Sequence, residues 1–275
     1  MSDLPLVSSH ASPAHTVLYC VCATSPAAAL AAGTLDGLEP SHSTRVVEEA
    51  GIAALVIDVP AAYLVGPDAE SRLGDLQWVA PRAVRHEQLI RAVMAHGPVL
   101  PLAFGTAFSS EASLRTVMRI AAPHVLDFLK RVENTAELGV RILHDPDRTL
   151  ASLRQDLLLR SPPPKTPGAR YLFEKKLDEQ AARSLRAHID SLSRAALDEL
   201  APLAREVVER RSTLTHEHQL KTASYHAMLV DADVLQAFAE RARGLSDRLS
   251  SSGVIIELTG PWPPYSFCPQ LGAIP

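Results

Sequence analysis

Three cysteines and a His-Glu-His triplet come nearest to a metal site in residue type and spacing. Cys20 and Cys22 are two positions apart in a predicted strand, so both thiols face the same way. A structural zinc site needs four ligands, and Cys268 is a lone third cysteine. The histidine pair at 216–218 has no third ligand placed near it by the sequence. We therefore interpret the cysteines as small buried hydrophobes and predict no metal and no cofactor.

Motifs that mark nucleotide binding and catalysis are missing from the sequence. It contains no Gly-x-Gly-x-x-Gly, no Gly-x4-Gly-Lys-Ser/Thr and no Gly-x-Ser-x-Gly. His86 and Glu87 are adjacent in a predicted helix, where neighbouring side chains do not face each other, so they do not suggest an acid-base pair. We predict that the chain is not an enzyme.

Composition excludes further classes of function. The 275 residues carry a net charge of -4, whereas a nucleic-acid-binding domain needs a basic face. No apolar run reaches the roughly 18 residues of a membrane span, and the first residues do not have the pattern of a signal peptide. The odd number of cysteines argues against a disulfide framework. We expect a cytoplasmic protein that binds neither nucleic acid nor membrane.

The most distinctive segment is GPWPPYSF at residues 260–267, which we call the strap. It follows a short apolar run at 254–258 that predicts a buried strand. Because prolines cannot donate to a sheet ladder, the strap should leave the sheet as a stiff, extended segment. It would then present Trp262, Tyr265 and Phe267 to an apolar or proline-rich partner. The alternative is a chain end that folds back and plugs its own core.

Strands and helices alternate in the first half of the chain. Apolar runs at 17–23, 52–59 and 99–104 predict strands. Pro81 suits the first position of a helix that stops before Gly97. A second helix should be capped by Ser109 or Ser110 and be kinked or divided at Pro123.

The second half begins with a strand at 137–144 and a proline-rich break at 161–168, which we expect to be a stiff linker or mobile flap. Apolar residues then recur at helical spacing from Leu185 to Val207, and Pro202 should bend or split that long helix. Later predicted elements are a strand at 220–230, a helix through Leu249 capped by Asp231 or Asp233, and a last strand from Gly253.

This order predicts an α+β fold of two domains. The expected division is a disordered tail at 1–14, an N-terminal domain at 15–135 and a C-terminal domain at 136–275 that carries the flap at 161–168. The second half reads as strand, long helix, strand, helix and strand, an order that allows a ferredoxin-like C-terminal domain with a long amphipathic helix.

Seven blocks in the expected order resemble the gas vesicle GvpL/GvpF family, most specifically the strap and the PLAFGT segment. The family usually has arginine at the place of Ala103 and tyrosine at that of Met228. The blocks are 17–21 (VLYCV), 51–56 (GIAALV), 86–87 (HE) with 97–106 (GPVLPLAFGT), 137–142 (ELGVRI), 168–172 (GARYL), 227–230 (AMLV) and 260–267 (GPWPPYSF).

The resemblance implies an accessory protein of gas vesicles, located at the vesicle or in the cytoplasm. Family members are implied to be assembly factors or minor shell components that bind the small hydrophobic shell subunit. The alternative is a scaffold or regulatory module that binds other gas vesicle accessory proteins. We expect partner contacts from Trp262, Tyr265 and Phe267 of the strap, and from Arg170 and Tyr171 beside the flap. The resemblance also suggests a structural role for His86 and Glu87.

Overall fold

The computed structural model describes residues 14–24, 43–63, 67–211 and 220–269. The described residues before 135 form a first compact unit together with 263–269, and Thr135–Trp262 form a second. The predicted division differs at its end, because the residues after Trp262 belong with the first unit, where Tyr265 packs against the core. The predicted tail lies outside the described residues except for Ala14, which begins the first strand.

The first unit is built on an antiparallel sheet of five strands in the order β2-β3-β1-β4, with β5 also paired to β1. The predicted strand at 52–59 is confirmed, and it is buried from Ile52 to Ile57 because both faces of the sheet are covered. The strands are β1 (Ala14–Ala23), β2 (Arg45–Glu49), β3 (Ile52–Pro60), β4 (Val99–Pro101) and β5 (Ala107–Phe108).

Three described helices complete this unit: α1 (Pro67–Gly74), α2 (Leu76–Met94) and α3 (Glu111–Arg131). The predicted cap Ser110 is confirmed, and it forms a capping box with Ser113. The prediction for Pro81 is wrong: the helix begins earlier because the Asp75 carboxylate accepts from the Gln77 amide, which leaves Pro81 in the interior. Pro123 lies within α3, which is not divided there.

The two longer helices cover opposite faces of the sheet. Leu89, Ile90 and Val93 of α2 pack with Tyr19 and Cys20 in one core cluster. Cys22 belongs to the same cluster, so the prediction of buried cysteines at 20 and 22 is confirmed. Burial raises the pKa of both thiols, that of Cys22 to about 11. Helix α3 covers the other face.

The second unit has a four-stranded antiparallel sheet in the order β7-β8-β6-β9. Its core joins Ala196 and Leu200 of α5 and Phe238 of α6 to strand residues such as Val140 and Met228. The elements are β6 (Thr135–His144), α4 (Pro146–Arg160), α5 (Pro167–Leu200), β7 (Glu206–Glu209), β8 (Lys221–Asp231), α6 (Leu235–Leu249) and β9 (Val254–Trp262).

Several predicted details of this unit are wrong. The flap ends early because Pro167 opens α5, whose 34 residues begin within the break. The helical pattern does not extend to Val207, which falls in β7; the predicted interruption at Pro202 is confirmed, because the helix stops at Leu200 and Pro202 lies in a 3-10 turn. Neither Asp231 nor Asp233 caps α6, because its N-cap is Val234.

The strap does not leave the sheet where the prolines predicted. Strand β9 continues to Trp262, which lies opposite Glu137 of β6 after an irregularity in the register. Pro261 falls within this irregularity, where it has no partner residue on β6, and β9 is an edge strand; both are positions where a strand tolerates proline. Among the described helices, none combines the length and the apolar character that crossing a bilayer demands.

Candidate functional site

The second half of the strap is anchored within the first unit. The Tyr265 hydroxyl donates to Oε2 of Glu87 at 2.9 Å, and Phe267 is buried. Arg131 donates from Nη2 to the Phe267 carbonyl at 2.6 Å, and the Cys268 thiol lies 3.7 Å from the Pro101 carbonyl. These contacts hold residues 265–268 in place, as the folded-back alternative for the strap would require.

The strap aromatics are divided between the two units. Trp262 ends β9 in the second unit and is half-buried, whereas Tyr265 and Phe267 belong to the first. They therefore do not form one continuous aromatic surface on a single unit. Partner binding by Trp262, Tyr265 and Phe267 stays a prediction.

His86 is a buried histidine that positions α2. Its Nε2 lies 2.9 Å from the Leu102 carbonyl, so this nitrogen carries the proton and donates. The ring centroid is 5.2 Å from that of Tyr19 and 5.7 Å from that of Phe104. Burial lowers the pKa of His86, which favours the neutral ring. These contacts are those of a structural residue.

The end of the α4–α5 hairpin exposes apolar side chains. Leu159 is 78% exposed near the end of α4, and Tyr171 and Leu172 are 67% and 66% exposed in the first turns of α5. Residues 161–166 between the helices are all exposed. We call Leu159, residues 161–166, Tyr171 and Leu172 the hairpin tip. Of the large apolar side chains among the described residues, few are as exposed as these.

The two helices of the hairpin run side by side in opposite directions. Arg154 of α4 donates to Asp178 of α5 at 2.6 Å, and Leu153 and Leu177 are buried nearby along the chain. Counted from this pair towards the connecting segment, Leu159 is five residues further along α4 and Leu172 is six residues back along α5, so the two leucines lie at the same end. The hairpin thus gathers apolar side chains from two helices.

Sequence reasoning named part of this tip. Tyr171 belongs to it, and Arg170 precedes Tyr171 on α5, where it lies 3.7 Å from Glu174. Leu159 and Leu172 were missed. A signal existed for Leu159, because the run Leu157-Leu158-Leu159 stands directly before the proline-rich segment, at the end of a helix whose apolar residues cannot all face inward.

A second feature lies beside the middle of α5. It is a cavity of about 260 Å³ whose lining includes His144, Arg186, Asp190 and Thr222 together with Leu185 and Ile189. Such a mixed lining differs from the apolar groove that a shell-subunit site along this helix would need.

Metal chemistry finds no support in the described ranges. They contain no group of three or more His, Cys, Asp and Glu side chains able to hold an ion. The His-Glu-His triplet at 216–218 lies outside the described residues. The absence of a metal and of an enzyme activity therefore stays a prediction.

Comparison with known proteins gives a consistent result. The family described as gas vesicle synthesis protein GvpL/GvpF matches residues 15–269. Gas vesicle protein L2 of Halobacterium salinarum is 27% identical over 92% of this chain and 91% of its own length. Gas vesicle protein L of a Streptomyces species is 28% identical over 81% of this chain and 82% of its own length.

Solved structures agree in fold. The crystal structure of the gas vesicle protein GvpF from an Anabaena species aligns with a TM-score of 0.65 and 19% identity, covering 93% of this chain and 98% of that one. GvpF from Microcystis aeruginosa aligns with a TM-score of 0.60 and 16% identity, covering 92% and 98%. At these identities the likeness concerns the fold alone.

Proposed function

Since the chain belongs to the GvpL/GvpF family of gas vesicle synthesis proteins, we propose that it binds the small hydrophobic shell subunit and assists vesicle assembly. The single observation that carries the proposal is the hairpin tip, where Leu159, Tyr171 and Leu172 are each about two-thirds exposed or more. Gas vesicle accessory proteins have other gas vesicle proteins as partners, and an apolar partner surface is what this tip would suit.

The physical argument rests on solubility. A shell that excludes liquid water needs a subunit with a large apolar face, and such a face exposed before assembly favours aggregation. A partner that covers the face and later releases it must bind reversibly. Burying a few hundred Å² at roughly 25 cal/mol per Å² suffices for transient holding after association costs are deducted. A small, exposed apolar tip is in keeping with that requirement.

The test is co-expression with the small shell subunit of the same genome, followed by recovery of the soluble subunit through a tag on this chain. We expect Leu159→Ser with Leu172→Ser to lower recovery at least about tenfold, because two leucines that the partner would bury are lost from the interface. Leu76→Ser is the matched control, since Leu76 is 76% exposed and lies in the first unit. Equal recovery for the tip and control variants would reject the tip as the contact.

One observation favours the second candidate, a scaffold that binds other gas vesicle accessory proteins. The mixed cavity beside α5 presents Arg186 and Asp190, which form an ion pair at 3.9 Å, on a mostly exposed helix face. A charged interface of this kind suits a polar partner. Arg186→Glu with Asp190→Arg should then lower recovery of an accessory protein and leave recovery of the shell subunit unchanged.

We further propose that the second unit is ferredoxin-like and that the chain acts at the gas vesicle. The order of elements is strand, helices, two strands, helix and strand, and the sheet order β7-β8-β6-β9 places the first and third strands in the centre. That arrangement supports the class. Family membership supports the location, which fluorescence from a tagged chain beside refractile vesicles would test.

A further inference from the structure

A cavity of about 390 Å³ lies between the sheet of the first unit and helix α3. Its floor includes Leu18 and Val21 of β1 and Leu100 of β4, and its roof includes Met118 and Ala121 of α3. Of the described residues that line it, eleven are apolar and Thr106 is the other.

Helix α3 lies over this face of the sheet, and ion pairs tie it to β2. Arg45 lies 2.7 Å from Glu111, and Arg119 lies 3.0 Å from Glu49. The cavity lies beneath the same helix, where the strands contribute Leu18 of β1, Leu100 of β4 and Phe108 of β5.

The lining chemistry restricts what can enter. None of the described residues that line the cavity is charged. The Thr106 hydroxyl donates to the Ala103 carbonyl at 2.7 Å, and the Thr106 carbonyl accepts from the Leu18 amide at 2.9 Å. A carboxylate or phosphate inside would lose its water and gain no partner. A saturated, uncharged alkyl chain has no charge to desolvate and needs no polar partner.

We propose that this cavity is a binding site for a neutral alkyl chain. Its volume lies within the range of about 300 to 1,000 Å³ that is usual for small-molecule sites. Val117 lines it and is 39% exposed, so the apolar lining continues to the surface and gives the chain a way in. This site is distinct from the hairpin tip and does not depend on the proposed function.

Two methionines allow a direct test on the full-length protein. Met118 lines the cavity, whereas Met228 is buried in the core of the second unit. With methyl-labelled methionine, 1-octanol should shift the Met118 signal saturably and leave the Met228 signal in place. Octanoate should bind at least about tenfold more weakly, because its charge finds no partner at the cavity. No shift of Met118 with octanol, or tighter binding of octanoate, would overturn the proposal.

Filling the cavity supplies the second measurement. Ala121→Phe should lower octanol affinity at least about tenfold, while the melting temperature stays or rises because a void is filled. Ala121→Leu is the milder version if Phe does not fit. The matched control is Ala112→Phe, an exposed position on the same helix, which should bind octanol like the wild type. Unchanged octanol binding in both filled, folded variants would place the ligand elsewhere and reject the site.

The alkyl group could come from a free molecule or from aliphatic side chains of a protein partner, and co-expression distinguishes the two. If Ala121→Phe also lowers recovery of the shell subunit, the partner's side chains occupy the cavity. If recovery is unchanged while octanol binding is lost, the natural ligand is a free molecule. Both results presuppose that octanol binds in the cavity. Because octanol binding is measured on this protein alone, the test remains valid even if the protein does not bind the shell subunit.

Discussion

The hydroxyl of Tyr265 donates a 2.9 Å hydrogen bond to Oε2 of Glu87, joining residues 178 positions apart. Burial raises the pKa of this hydroxyl well above its ordinary value, and the Glu87 carboxylate adds to the rise. The hydroxyl therefore keeps its proton and remains a donor throughout the physiological range. Through this bond the strap closes onto helix α2 of the first unit.

Tyr265→Phe should lower the free energy of unfolding by about 1–2 kcal/mol, because a carboxylate loses a partly buried hydrogen-bond donor. Urea unfolding followed by circular dichroism measures the change. Tyr171→Phe is the control, since Tyr171 is 67% exposed and should have no measurable effect. A wild-type midpoint for Tyr265→Phe would mean that the bond does not contribute to holding the strap.

Acid should weaken the first unit through Asp58. Hydrogen bonds and charge from Arg45, aided by Thr16, lower the pKa of this carboxyl. A lowered folded-state pKa contributes stability that is present above the ordinary value of about 3.9 and is lost as the pH falls through the lowered pKa.

Asp58→Asn should therefore reduce stability near neutral pH and make it less sensitive to acidification between about pH 5 and pH 2. Melting temperatures across that range provide the measurement, and Asp233→Asn, at an exposed position in the second unit, is the control. If Asp58→Asn lost stability on acidification as steeply as the wild type, the ion pair of Arg45 and Asp58 would not be a source of the acid sensitivity.

Gly253 precedes β9 with a positive φ of 73°. A Cβ there would lie 2.8 Å from the Thr149 amide nitrogen and 2.9 Å from the Cβ of Arg148. Gly253→Ala should cost more than about 1 kcal/mol of unfolding free energy, since backbone strain and a clash add. Gly168→Ala in α5 meets no atom within 4 Å and should be neutral or stabilising by up to about 1 kcal/mol. Thermal unfolding of the two variants measures both effects. Equal melting temperatures for Gly253→Ala and Gly168→Ala would contradict the predicted strain at Gly253.

Two leucines of the same helix should separate stability from binding. Leu200 is fully buried, and Leu200→Ala should cost about 2–5 kcal/mol through the lost apolar contacts and the cavity left behind. Leu172→Ala, at the hairpin tip, should change stability by less than about 0.5 kcal/mol. Chemical unfolding measures both, and a large loss for Leu172→Ala would mean that this side chain is needed by the fold instead of by a partner.

Local sequence determined the elements whose signals are short-range. Ser110 caps α3 through a residue three positions away, and the apolar run at 52–59 forms the predicted strand. The resemblance carried by the strap and the other blocks identified the family. Where sequence reasoning failed, the structural context outweighed the local preference of a proline. Asp75 caps α2 ahead of Pro81, so that proline lies inside the helix, and β9 is an edge strand that contains Pro261.

The tertiary structure alone decided which distant groups meet. Glu87 and Tyr265 are 178 positions apart, so no periodicity in the sequence could have paired them. The same is true of the cavity, whose lining joins residues as distant in the sequence as Leu18 and Val125. Chain-local forces specify helices and strands, whereas the spaces and contacts between them depend on how the finished elements pack.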